Sequence, residues 1–190
     1  MPATRRKPTN ATWERVIKRF HVEINKLCDQ LVAGEITPRE WADAFGYVIG
    51  EGHATAWMLG RQLAGDASPR NEGDDMVGQM MKDEEGQYLL KFMNDYIAGR
   101  YLQDDGTQQI VAIKQRAALY VGKFRGTSNE AWVSAGPDEA IYQWVMLAIE
   151  HCDDCPRMAR LSPWVAGELW AYPGDGSSAC LGNCKCILRR

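Results

Sequence analysis

The chain has 190 residues, of which 45% are apolar and 25% charged, and its formal net charge is −3. Those values belong to an ordinary globular protein and exclude a low-complexity chain or one whose whole surface is basic enough to advertise nucleic-acid binding. The richest apolar stretch, Trp41 to Leu59, is broken by Asp43, Glu51 and His53; it falls short of the ~20 apolar residues a membrane span requires, so no membrane partner is expected.

Taken in order, residues 1–9 carry Arg5, Arg6 and Lys7 beside two prolines and read as a flexible basic arm, able to touch DNA or an acidic partner surface. Asn10 is placed to cap a first helix. Val16, Phe20, Ile24, Leu27 and Leu31 follow at three- and four-residue spacings, one helical face, and Gly34 ends it. In Thr37-Pro38-Arg39-Glu40 the threonine is an N-cap, the proline occupies the first helical position and the glutamate closes a capping box. The second helix is expected to reach about Gly65, with Trp41, Phe45, Val48, Ala56 and Leu59 inward. Gly46 and Gly50 clear one side for a close neighbour.

Residues 65–86 are rich in Asp, Glu and Gly, with Arg70 and Lys82 as the opposing charges, and read as an acidic loop. A third helix is expected over about 86–101, with Leu89, Phe92, Met93 and Tyr96 inward. After the Asp104-Asp105-Gly106 turn, Thr107 is expected to cap a fourth helix carrying Ile110, Ile113, Ala117, Tyr120 and Phe124, broken at Gly126. Beyond Gly136-Pro137, Ile141, Trp144, Val145 and Ala148 suggest a fifth helix. Glu168 to Tyr172 suggests a short strand, and Pro173-Gly174-Asp175-Gly176 a hairpin turn. The expected fold is mainly α: a helical domain over 10–150 of about five helices, with a small cysteine-rich hairpin over 151–190.

Five of the six cysteines lie in that last segment, as Cys152-x2-Cys155 and Cys180-x3-Cys184-x-Cys186. Two close-set thiol groups on either side of a returning loop suit a tetrahedral zinc ion. Cys152 and Cys155 are expected ligands, and two of Cys180, Cys184 and Cys186 complete the set. Disulfides or a redox dithiol are the alternatives. No secretory signal is recognisable and no βαβ pattern accompanies the C-x2-C pair, which favours metal over both. Thiolate ligation throughout leaves little Lewis acidity, so the zinc is expected to be structural. His151 reads as a surface residue, or one that supports a ligand without itself binding metal, and Cys28, alone on an apolar helical face, as a small core residue.

The residues Gly34-Glu35-Ile36-Thr37…Trp41, the helix around Tyr120, and Glu150-His151-Cys152-Asp153-Asp154-Cys155…Ser162-Pro163…Pro173-Gly174-Asp175-Gly176…Cys180…Asn183-Cys184-Lys185-Cys186 together resemble the tailed-phage head morphogenesis proteins. These are the minor head proteins of the Mu F-like group. The match is specific over 150–188 and looser over the helices; Cys180 stands where that group often has a histidine. The resemblance implies a non-enzymatic virion component, present in multiple copies in a symmetric assembly, associated with portal, capsid or neck proteins. It would assist head morphogenesis and genome delivery, be made in the host cytoplasm, and make at most non-specific contact with packaged DNA.

Catalysis finds little support. There is no phosphate-binding glycine loop, no G-x-S-x-G and no H-E-x-x-H, and His21, His53 and His151 are dispersed. The competing reading is a zinc-containing DNA-binding or transient assembly factor, because Arg157, Arg160, Lys185, Arg189 and Arg190 flank the cysteines. No recognition-helix motif accompanies them.

Overall fold

A computed structural model describes residues 10–147 and 150–190. The basic arm over 1–9 lies outside the described residues, as do Ala148 and the Asn10 side chain. The fold is mainly helical, as expected. Four long helices, α1 (Asn10–Val32), α2 (Pro38–Ala64), α3 (Glu72–Ile97) and α4 (Ile110–Ser134), precede a small C-terminal region. That region contains β1 (Ile141–Val145), α5 (Asp154–Leu161), β2 (Trp164–Val165), a 3₁₀ turn at Ala166–Glu168, a second at Leu181–Asn183, and β3 (Ile187–Arg189).

The start of α2 follows its sequence directly. Thr37 Oγ1 accepts from the Glu40 amide at 3.2 Å, and the Glu40 carboxylate accepts from the Thr37 amide at 2.8 Å. Trp41, Phe45, Val48, Ala56 and Leu59 are all buried, as are Phe20, Ile24, Cys28 and Leu31 of α1. From α3 and α4, Leu89, Phe92, Ile113, Ala117, Tyr120 and Phe124 complete this first core. Its rings interlock edge to face: Phe20 meets Phe124 at 5.2 Å between centroids, and Trp41 meets Phe92 at 5.1 Å. Burial pushes the Cys28 thiol up to about 11; it is an inert core residue.

Four expectations are corrected in the body. The acidic loop shrinks to residues 65–71, because α3 begins at Glu72 and not near 86. Asn71 caps it, accepting from the Asp74 amide at 3.1 Å while Asp74 accepts from the Asn71 amide at 2.8 Å. Glu72, Asp74 and Asp75 occupy the first turn, where the helix dipole favours negative charge. Cations meet three of the acidic residues: Arg61 binds Asp74 with two of its nitrogens at 2.8 and 2.7 Å, Arg70 clamps Glu51 of α2 at 2.8 and 2.7 Å and reaches Asp75 at 2.6 Å, and Lys123 pairs with buried Glu85. Gly78 of α3, not Gly46 or Gly50 of α2, permits the close approach: a Cβ on Gly78 would sit 2.5 Å from the Gly50 carbonyl oxygen, whereas one on Gly50 would make ordinary contact at 3.4 Å.

Thr107 does not cap α4. It donates to Asp105 at 2.7 Å within the turn, and Gln109 precedes the helix without a side-chain cap. Nor does Gly126 break α4, which runs on to Ser134. The expected fifth helix over 141–148 is strand β1 instead: Tyr142 and Trp144 are buried while Ile141 and Gln143 are exposed, the two-residue period of a sheet.

β1 is the centre of a three-stranded antiparallel sheet, ordered β2-β1-β3. Tyr142 pairs with Trp164 of β2 and Trp144 with Leu188 of β3. The strand expected over 168–172 is not formed; that chain follows the Ala166–Glu168 turn into coil. The Gly174-Asp175-Gly176 segment is the expected turn, with Asp175 accepting from the Tyr172 and Ser177 amides at 2.7 and 2.8 Å. A second core collects Val133, Ala140, Tyr142 and Trp144 with Met158, Leu169, Ala171, Leu188 and three cysteines, so it draws on chain upstream of residue 150. No described helix is long and apolar enough to cross a membrane.

A candidate metal centre

Local structure brings the thiols together in three steps. Cys152 lies just before α5 and Cys155 in its first turn, with the Cys155 amide donating to the Cys152 carbonyl at 3.2 Å; the two sulfurs are 3.5 Å apart. Asp154, between them, accepts from the Ala179 amide at 2.9 Å and so ties this loop to the segment carrying Cys180. Cys180 then opens the Leu181–Asn183 turn, which places Cys184 at its far end, and Cys186 leads into β3.

The resulting distances are short. Cys180 Sγ lies 3.0 Å from Cys152 Sγ and 3.5 Å from Cys155 Sγ. Cys184 Sγ lies 3.8 Å from Cys155 Sγ. Cys186 Sγ is 3.6 Å from Nδ1 of His151. Two sets of three ligand atoms, Cys152–Cys155–Cys180 and His151–Cys155–Cys186, each lie within 4.8 Å of one another. All five expected cysteines therefore converge, with Cys155, Cys184 and Cys186 buried and Cys152 and Cys180 half-buried at the rim. None of the six cysteines is in a disulfide.

His151 is the residue the sequence reading undervalued. Its Nε2 lies 2.6 Å from the Leu147 carbonyl oxygen, an acceptor only, so Nε2 carries the proton. That leaves Nδ1 with its lone pair facing Cys186. A carbonyl that fixes the tautomer in this way is the usual partner of a metal-ligating histidine. Adjacency to Cys152 was the visible signal; the orienting carbonyl, four residues earlier in the chain, was not.

The thiols shift in opposite directions with their surroundings. Burial pushes Cys155 far up, and neighbouring Cys186, Cys180 and Cys152 add to it. Cys184 and Cys180 are also raised, burial first. Cys152 behaves oppositely: burial alone would raise it, but donation from Cys180 and the Cys155 amide outweighs that and brings it down to about 7. Thiolate with imidazole is the donor set that soft divalent ions prefer. The cluster can hold a metal ion.

The centre is braced against α4 by backbone contact. A Cβ on Gly182 would lie 2.8 Å from the Leu119 carbonyl oxygen and 2.9 Å from the Lys123 amide nitrogen. Gly126 faces the Asp175 backbone with no room for a side chain, which is the reason for glycine there. Asn129 of α4 donates to the Pro173 carbonyl at 2.9 Å. The cysteine turn and the Gly174–Gly176 turn thus both rest on one helix of the body. Compared with known proteins, the chain matches no family model, no curated protein and no solved structure.

Proposed function

We propose that this chain is a non-enzymatic structural component of a tailed-phage virion, a minor head protein held at the portal, capsid or neck in multiple copies. In this reading it assists head morphogenesis and genome delivery, and its C-terminal module is stapled by zinc. The observation that supports it is the convergence of Cys152, Cys155, Cys180, Cys184 and Cys186 into one cluster. These are the residues on which the resemblance to phage head morphogenesis proteins chiefly rests.

Zinc suits the site because it is redox-inert, tetrahedral and content with sulfur and nitrogen alone. It would fix α5, the Leu181–Asn183 turn and β3 in a segment too short to build a core by itself, contributing on the order of 10 kcal/mol of apparent binding energy to folding. Cysteine ligands fill its coordination sphere, which fits a staple better than a hydrolytic centre.

The test is peptide mass spectrometry on purified particles of the phage encoding the chain, with heads and tails separated. Recovery with heads or connectors at low copy is expected. Absence from particles would overturn the virion reading in favour of a transient assembly factor or a DNA-binding protein, and salt-dependent DNA binding would separate those two.

A further inference from the structure

Helix α3 carries four large apolar side chains away from the core: Met76 at 72% exposure, Met80 at 59%, Leu90 at 53% and Ile97 at 61%. With Asp83, Gln87 and Asn94, also exposed, they mark every fourth and third residue in alternation from 76 to 97. That is the heptad seam by which one helix lies along another. Gly78, Glu85 and Phe92, on the opposite side of the helix, are buried against the body, so the seam points outward. Single exposed apolar residues need no explanation, but four in one stripe along a helix do.

We propose that this seam is where two copies of the chain pair, α3 against α3, in antiparallel orientation about a two-fold axis. Charge sets the direction. The first half of α3 exposes Glu72, Asp75, Asp83 and Glu84, and Lys91 lies in the second half. Parallel helices would lay the acidic halves together, whereas antiparallel ones bring Lys91 of the second copy across from Glu84, once on each side of the axis. Glu84 has no ion partner among the described residues. Lys91 shares Asp95 with Arg100, so it can turn to Glu84 of the second copy without leaving Asp95 unpaired.

The same register serves the seam. It sets Met80 against Ile97 of the second copy and Leu90 against Gln87 of the second copy. Asp83 faces Asn94 of the second copy, whose amide can donate to the carboxylate, a polar pair that specifies this register. Gly86 lies beside the seam, and a Cβ there would meet nothing within 4 Å, so no contact inside the chain calls for glycine. Met93 of the second copy comes opposite it, where a glycine lets the two backbones approach. Neither a metal nor a virion location is needed for this pairing.

The test is sedimentation equilibrium of the full chain across a concentration series, in reducing buffer containing zinc, which excludes disulfide-linked dimers. A reversible dimer is expected. Leu90→Glu should leave a monomer with an unchanged circular dichroism spectrum, because Leu90 lies outside both cores. Glu84→Lys sets lysine against lysine twice and should weaken the dimer by about tenfold; adding Lys91→Glu should restore it. A wild-type chain that stays monomeric throughout the series would overturn the proposal and leave the face to a different protein. A dimer that survives Leu90→Glu would also overturn it, because pairing would then use another surface. Failure of the double variant to regain the dimer would overturn the antiparallel register.

Discussion

Gly122 of α4 and Gly182 of the cysteine turn meet backbone to backbone: a Cβ on Gly122 would lie 2.5 Å from the Gly182 carbonyl oxygen. The contact seats the candidate metal centre on the helical body, since Gly182 lies between Cys180 and Cys184. Gly182→Ala should therefore destabilise the protein by about 1–3 kcal/mol, the usual cost of overpacking against a backbone that cannot yield. Gly167→Ala, where a Cβ meets nothing within 4 Å, is the control and should leave the denaturation midpoint unchanged. Equal midpoints for the two variants would mean the turn does not rest on α4.

His53 makes stability depend on pH. It is fully buried in α2, its Nδ1 is 2.6 Å from Thr127 Oγ1, and burial, with Lys123 nearby, lowers it from 6.5 to about 3. The folded chain keeps it neutral while the unfolded chain protonates it below about 6.5. Stability contributed by His53 is thus present above that pH and is lost as pH falls from 6.5 toward 3, with a slope of at most about 1.4 kcal/mol per pH unit. His53→Gln should flatten the stability profile between pH 6.5 and 5 relative to wild type. Metal loss and His21, itself lowered by burial, act on both proteins and cancel in the difference. Parallel profiles would show that His53 is not buried neutral.

The ion pairs that make α3 a helix should differ sharply in worth. Asp74 is fully buried, receives both Arg61 nitrogens and closes the Asn71 capping box. Asp74→Ala removes the two-pronged partner of a mostly covered Arg61, which keeps Asp66 and Ser68, and leaves the Asn71 amide without its acceptor; it should cost about 1.5–3 kcal/mol in urea unfolding. Lys91→Ala, removing an exposed partner of Asp95, should leave the midpoint unchanged. An Asp74 variant as stable as wild type would show that the Arg61–Asp74 pair does not hold α3 to α2.

Cys28 and Cys155 are both buried but should respond to substitution in opposite ways. Cys28→Ala removes a sulfur from the first core and should lower the melting temperature with metal content unchanged. Cys155→Ser should lose metal, measured by elemental analysis after dialysis. Metal retained by Cys155→Ser would remove Cys155 from the centre.

What the sequence discloses is what local chemistry determines. The Thr37–Glu40 capping box, the α1 stripe from Val16 to Leu31 and the meeting of the two cysteine groups all depend on residues near one another or on a pattern metals impose. The failures depend on distant partners. Residues 72–86 look too acidic to be ordered until Arg61 and Lys123 arrive from other segments and nearby Arg70 ties Asp75 to Glu51 of α2, although Asn71-x2-Asp74 was a legible cap. Ile141, Trp144 and Val145 fit a helical spacing equally well, and only pairing with Trp164 and Leu188 makes their segment a strand. Gly126 looks like a helix breaker because the Asp175 backbone it accommodates is far along the chain. His151 is undervalued for the same reason, since its role depends on the Leu147 carbonyl and on Cys186.

The central claim is that a metal staples the C-terminal module onto a body that folds around its own core. Amide hydrogen exchange of the zinc-loaded chain, compared with the same chain after a chelator, tests it most directly. Residues 150–190 should lose protection on chelation, while the helices around Phe20, Trp41, Phe92 and Phe124 keep theirs. Unchanged protection across 150–190 would contradict it, because the module would then hold its shape without the ion.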